Sequence, residues 1–262
     1  MSQSTLIHIA VLDLYEGSTN MGMDCILDIL EDWSKKHAIK ITSTVFDVRV
    51  KNELPDSSFD VYISSGGPGS PIDTKDQAWD IAYGNWLDQM FALKKPVLLI
   101  CHSFQLACRH FNIGKVGLRK SKQLGILPIH PTVPHAIFDQ LPDPFFAMES
   151  RLYQITEPND EKIDLMGATI IALEKIRPQL PYERALMAVA FNDTMIGVQF
   201  HPEATQERLI NYFNTDTVKS IVFNDFSEEK WNQIIQSLED DTKIKHTCSQ
   251  FIPNFLQQML QV

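Results

Sequence analysis

The sequence predicts an α/β fold: a doubly wound, mostly parallel sheet with helices on both faces, a small antiparallel sheet in the second half and a C-terminal helical extension. Three observations carry this expectation. Short apolar runs rich in β-branched residues alternate with longer segments of helical spacing from Leu6 to Phe111. Turns of small residues follow two of those runs, at Ser65-Gly66-Gly67-Pro68-Gly69-Ser70-Pro71 and at Cys101-His102-Ser103. Beyond Phe111 the apolar runs follow one another without long helical segments between them, the pattern of antiparallel strands.

Leu6 to Leu12 reads as the first strand and Tyr15 to Met21 as a loop with Gly17, Ser18 and Asn20. Met23, Ile26, Leu27, Leu30 and Trp33 recur at helical spacing, so a helix runs to about residue 37. Ile39 to Val50 alternates as a second strand, and Pro55-Asp56-Ser57-Ser58 is a turn. Val61 to Ser64 is a third strand. Asp76 to Leu93 fits a helix carrying Trp79, Tyr83, Trp86, Leu87 and Met90. Val97 to Ile100 is apolar throughout, as in a strand buried on both faces, and Phe104, Ala107, Cys108 and Phe111 follow at helical spacing. Lys115 to Ile129, Phe145 to Met148, Thr169 to Leu173, Leu186 to Phe191 and Met195 to Phe200 read as further strands. Trp231, Ile234, Ile235 and Leu238 mark one amphipathic helix of the tail; Phe251, Phe255, Leu256, Met259 and Leu260 mark another. The division expected is a main domain over 1–215 and a helical extension over 216–262. The tail helices are expected to pack on the main domain; a homo-oligomer formed through them is the alternative.

Composition narrows the function. The net charge is −10, which argues against nucleic acid or an anionic membrane surface as partner. No apolar run approaches the ~20 residues that span a bilayer. The N-terminus has no basic and apolar signal pattern, and the four cysteines have no paired or metal-like spacing. A reduced, cytoplasmic protein is the expectation.

The chemistry centres on Cys101, at a strand-to-helix junction. A thiol there lies beside the unpaired N–H groups of a helix start, where the macrodipole favours negative charge and hence the nucleophilic thiolate. A nucleophile needs a base, an orienting group and oxyanion donors. His201 and Glu203 follow the apolar run Ile196-Gly197-Val198-Gln199-Phe200. If the extended conformation continues, residues 201 and 203 project to one side, with His201 taking the thiol proton and Glu203 holding its tautomer. The backbone N–H groups of His102 and Gly67 are the candidate oxyanion donors. In the assumed architecture, ligands bind at the carboxyl ends of the strands, where both small-residue loops fall.

Three separated segments resemble those of the class I glutamine amidotransferases, whose glutaminase domain uses a triad: Ser65-Gly66-Gly67-Pro68-Gly69-Ser70-Pro71, Cys101-His102-Ser103-Phe104-Gln105 and Gly197-Val198-Gln199-Phe200-His201-Pro202-Glu203. The likeness covers roughly residues 5–213 and leaves the tail outside. It implies that Cys101 attacks the side-chain amide carbon of glutamine, that Gly67 and His102 N–H groups hold the oxyanion, and that ammonia leaves protonated through His201. Water then hydrolyses the γ-glutamyl thioester. It also implies substrate contacts from Gln105 and Gly69, and from Ser150 in Met148-Glu149-Ser150-Arg151, the nearest match to a His-Ser pair of the family. Two departures stand out. Ser103 replaces the elbow's usual glycine. Glu149 replaces a histidine and Arg151 follows it, which changes the charge near the expected substrate end and brings in γ-glutamyl conjugates as alternative substrates. The family's ammonia passes to a synthase, so a separate synthase subunit is an expected partner. The readings are thus a glutaminase, a γ-glutamyl peptidase, or a non-catalytic binding subunit, against which an intact triad argues.

Other residues receive plainer readings. Cys25 and Cys108 fall on apolar helix faces, and Cys248 is incidental. His130 and His135 flank prolines without acidic or cysteine partners at ligand spacing, so no metal is expected. The glycine loop also resembles the phosphate loop of ATP pyrophosphatases. It lacks that loop's Asp, basic residues to hold pyrophosphate and a following lysine, so no cofactor is expected.

Overall fold

The computed structural model describes residues 6–261 apart from 19, 177, 178 and 180–182. Its strands are β1 (Leu6–Asp13), β2 (Lys40–Asp47), β3 (Val61–Ser64), β4 (Val97–Ile100), β5 (Gly114–Pro131), β6 (Phe145–Pro158), β7 (Thr169–Leu173), β8 (Leu186–Ala190) and β9 (Met195–Val198). Its helices are α1 (Met21–His37), α2 (Ala78–Ala92), α3 (His102–His110), α4 (Asp160–Met166), α5 (Gln206–Phe213), α6 (Asp216–Asp225), α7 (Glu228–Glu239) and α8 (Ile244–Leu260).

The strands are hydrogen-bonded in the order β2-β1-β3-β4-β9-β8-β7-β5-β6. From β2 to β9 every pair is parallel. From β9 to β6 every pair is antiparallel. The antiparallel strands therefore continue the parallel sheet, which corrects the expectation of a separate small one. The physical reason lies in β5. It is a single bulged strand of 18 residues, and its last two, His130 and Pro131, pair with β7 while its length pairs with β6.

Strand alternation divides the apolar side chains. Ile9, Val11, Ile63, Leu98 and Ile100 pack with Ile26, Leu30 and Trp33 of α1 and with Phe251 and Phe255 of α8. Ala10, Leu12, Tyr62, Val97 and Leu99 pack with Trp86 and Leu87 of α2 and with Phe104 and Ala107 of α3. A third cluster joins Leu124, Ile126 and Met148 of β5 and β6 to Leu209, Phe213, Val222, Ile234 and Leu238 of α5, α6 and α7. The tail thus shares the apolar interior with the sheet. Phe251 meets Phe138, Phe145 and Phe200 at ring centroid distances of 6.1, 6.4 and 5.3 Å. α4, α5 and α6 were not legible as helices. Each carries one or two buried residues, so each shows little apolar periodicity.

Two strands far apart in sequence become neighbours in this order. β4 pairs with β9 in the register Leu99↔Gly197 and Ile100↔Val198. Parallel pairing puts both carboxyl ends at one edge, and β1 and β3 end there too.

Candidate active site

Cys101 follows the fully buried β4 and caps α3 in a backbone conformation of φ 50°, ψ −95°. A non-glycine residue at positive φ outside the left-handed helical well is strained and needs support from its surroundings. The support is visible. The Cys101 N–H donates to Val198 O at 2.7 Å, and the Gln105 N–H donates to Cys101 O at 3.0 Å. Ser103 Oγ accepts from Ile100 N–H at 2.7 Å and lies 2.9 Å from Ser64 O. Ser103, where the resemblance implies glycine, thus ties β3 and β4 together under the elbow. It sits within α3, so no unusual φ is required of it.

His201 lies beyond the end of β9. Gln199 and Phe200 form a bend, and the chain does not remain extended to residue 203 as the sequence pattern implied. His201 instead makes an isolated bridge with Met148 of β6, its N–H donating to Met148 O at 2.8 Å. Pro202 and Glu203 then form a turn that swings the carboxylate back to the ring. Nδ1 of His201 lies 2.8 Å from Glu203 Oε1. The Cys101 sulfur stands near enough to the ring to favour its charged form. Burial opposes the charged imidazole, but the Glu203 carboxylate and the Cys101 sulfur outweigh it and hold the His201 pKa well above 6.5. Cys101, His201 and Glu203 are brought together, then, through a turn rather than strand alternation.

Around the sulfur the structure adds residues that sequence reasoning missed. Gln199, fully buried, directs Nε2 at Cys101 Sγ at 3.6 Å. Gln105, also buried, donates from Nε2 to Gln199 Oε1 at 3.2 Å. The residue expected to touch substrate therefore belongs to a carboxamide chain ending on the thiol. Tyr15, just beyond β1, brings its hydroxyl beside Gly22 and Gly66. Burial, then Glu203 and Cys101, raise its phenol pKa well above 10. Its position past the carboxyl end of a parallel strand was the available signal.

The glycine loop is held from two sides. Arg49 donates to Pro68 O at 2.6 Å and Leu14 O at 3.3 Å, pairs with Glu16 at 2.9 Å and stands 5.0 Å over the Trp79 ring. Arg109 of α3 donates to Pro71 O and pairs with Asp80. A Cβ on Gly67 would collide with the Leu14 carbonyl oxygen, so glycine is required by close approach. Among the described residues, the Gly67 and His102 N–H groups donate to no protein acceptor. The His102 ring is buried, and burial with Arg49 and Arg109 nearby lowers its pKa to about 3, so it is neutral. Gly69 is exposed at φ 94°, beside the Arg49 guanidinium.

Ser150 is exposed on β6, opposite Leu124, and it is Met148, two residues earlier, that meets His201. Glu149 and Arg151, both buried, pair with each other at 2.7 Å. The charge change expected along this strand is thus compensated within it.

A sequence profile of the family "Glutamine amidotransferase class-I" matches residues 29–219. No curated protein matches the sequence. Among solved structures, a glutamine amidotransferase from Thermotoga maritima is similar at 15% identity and TM-score 0.71, over 98% of this chain and 99% of that one. A glutamine amidotransferase from Methylobacillus flagellatus is 16% identical with TM-score 0.59, over 95% and 94% of the two chains. The glutaminase domain of CTPS from Trypanosoma brucei, with bound acivicin, is 14% identical with TM-score 0.59, over 75% of this chain and 86% of that one. At these identities the structural likeness speaks for the fold.

Proposed function

The chain belongs to the class I glutamine amidotransferase family, and we propose that it hydrolyses the side-chain amide of glutamine through a cysteinyl thioester, with Cys101 as nucleophile. The observation that carries this reading is the convergence of Cys101, His201 and Glu203 at one edge of the sheet.

The chemistry follows from the groups present. His201 accepts the thiol proton, and Glu203 on Nδ1 keeps the opposite ring nitrogen available for it. The sulfur attacks the amide carbon, and the carbonyl oxygen takes up the electron pair as an oxyanion facing Gly67 N–H and His102 N–H. When the intermediate collapses, the C–N bond breaks and His201 returns its proton to the leaving nitrogen, releasing ammonia. Water, deprotonated by His201, then attacks the thioester; glutamate leaves and the thiol is restored. Gln105, Gly69 and Ser150 are the proposed substrate contacts. Gln105 meets substrate on this reading by exchanging its bond to Gln199.

The same steps release an amine from a γ-glutamyl conjugate. Glu149 and Arg151 are buried against each other, which favours glutamine as the simpler substrate. The likeness to the CTPS glutaminase domain supports a synthase, as partner or as joined domain, as ammonia acceptor. Among the described residues no helix is long and apolar enough to cross a membrane. The test is ammonia release from glutamine, beside amine release from γ-glutamyl peptides. Cys101→Ala abolishes turnover and labelling by an electrophilic glutamine analogue. Labelling retained at another cysteine overturns the assignment.

A further inference from the structure

Gly66 and Gly67 flank the peptide whose N–H is the proposed oxyanion donor, and glycine on both sides removes the Cβ clashes that normally resist rotation of a peptide plane. Something else must choose its orientation. Ser65 lies immediately before it, fully buried, with its own N–H donating to Leu12 O at 3.0 Å. Its hydroxyl makes two contacts: Leu14 N at 3.0 Å and Gly66 O at 2.8 Å. The direction of each bond is forced. Leu14 N–H only donates, so Ser65 Oγ accepts there. Gly66 O only accepts, so the single hydroxyl proton goes to it.

We infer that Ser65 is a positioning residue that presets the oxyanion peptide by gripping the Gly66 carbonyl. In a planar trans peptide the C=O and N–H point in opposite directions. With the Gly66 carbonyl turned toward the Ser65 hydroxyl, Gly67 N–H faces away from Ser65. A flip of this peptide breaks the Ser65 bond and turns the Gly66 carbonyl oxygen to where the N–H was. Arg49 secures the far side of the same loop through Pro68 O and Leu14 O. The orientation of the peptide is therefore set before substrate arrives. This rests on the reading of Gly67 N–H as an oxyanion donor.

The test compares the full-length wild type with Ser65→Ala and Ser65→Thr. Three readouts are taken: kcat and KM for glutamine, inhibition by the γ-aldehyde analogue of glutamate, and alkylation of Cys101 by iodoacetamide. The aldehyde forms a tetrahedral adduct whose oxygen needs the hole. Alkylation at a saturated carbon builds no oxyanion. Ser65→Ala is expected to lower kcat by about tenfold to a hundredfold and aldehyde affinity in parallel, with KM and alkylation within about twofold of wild type. Ser65→Thr, which keeps the hydroxyl, restores both. Wild-type turnover in Ser65→Ala overturns the inference, as does alkylation falling as far as kcat, which makes Ser65 a support of the thiol instead. So does a threonine variant that is alkylated normally and turns over no faster than alanine. A wild-type chain that releases no ammonia and is not alkylated at Cys101 fails differently: it overturns the hydrolase reading itself.

Discussion

A Cβ on Gly66 would lie 2.9 Å from Cε1 of His201. The glycine of the loop and the imidazole of the opposing turn are in direct contact, although β3 and β9 are separated in the sheet by β4. The ring has little freedom to retreat, because its backbone is bridged to Met148 and its Nδ1 is held by Glu203. Gly66→Ala is therefore expected to displace the imidazole from the thiol. An ångström of misplacement in such a site costs about a hundredfold in rate. Steady-state ammonia release checks this. Thermal unfolding, expected to change little, separates it from general misfolding.

Removal of the Glu203 charge has a pH signature. In the native protein the His201 pKa stands well above 6.5, because Glu203 and Cys101 outweigh burial. A group raised on folding binds its proton more tightly in the native state. Its contribution to stability is thus complete below about 6.5, its unfolded value, and is lost as pH rises through the folded value. In Glu203→Gln burial opposes the imidazolium with less to offset it, because the imidazolium loses its carboxylate partner. The stability gap between wild type and variant is expected to be widest below pH 6.5 and to close at alkaline pH. Urea midpoints across the pH range measure it; a gap that widens with rising pH defeats the argument.

Legibility in the sequence followed the range of the interactions. Val97 to Ile100 and Met195 to Val198 announced strands because a strand buried on both faces is apolar at every position. Cys101 and the glycine loop announced themselves as small or reactive residues after such runs. The route by which Glu203 reaches His201 did not, because a turn at Pro202 and an extended strand carry the same residues. Arg49, Gln199 and Tyr15 were hidden for a related reason. Each is an ordinary residue until the sheet order brings it to Pro68, Cys101 or Gly66. β5 was legible over nearly its whole length, Lys115 to Ile129, but not as one strand, because its bulges break the alternation that marks a strand.

Gly197 is a packing requirement inside a motif that also carries chemistry. A Cβ there would collide with the Phe104 ring and stand 2.9 Å from Phe191 Cε2. Both rings are fully buried, and Phe104 belongs to the helix that Cys101 caps. Gly197→Ala is expected to cost about 1–3 kcal/mol through overpacking. The lowered thermal midpoint is accompanied by lost activity, since α3 is the element that must move. A second substitution that makes room, Phe191→Leu, is expected to recover part of both. Recovery of stability without activity places the damage elsewhere.

Glu149 and Arg151 give a further test, because they pair inside the protein and Arg151 also reaches Glu174. Nε of Arg151 lies 2.7 Å from Glu149 Oε2, and NH2 lies 3.7 Å from Glu174, which also pairs with Arg119 at 3.0 Å. Arg151→Met leaves the Glu149 carboxylate buried with its main partner removed, a loss of about 3–5 kcal/mol for a pair of this kind. The damage spreads to the site through the next residue, Met148, whose carbonyl holds the His201 backbone. The double variant Glu149→Leu with Arg151→Met removes both charges and leaves the Arg119–Glu174 pair in place. Apolar replacement of a whole buried pair is often neutral, so the double variant is expected to be more stable than Arg151→Met alone. Denaturant unfolding of wild type, Glu149→Leu, Arg151→Met and the double variant measures the coupling. If glutamine turnover returns with stability in the double variant, the pair is structural. If stability returns and turnover of glutamine does not, the two charges serve the substrate directly.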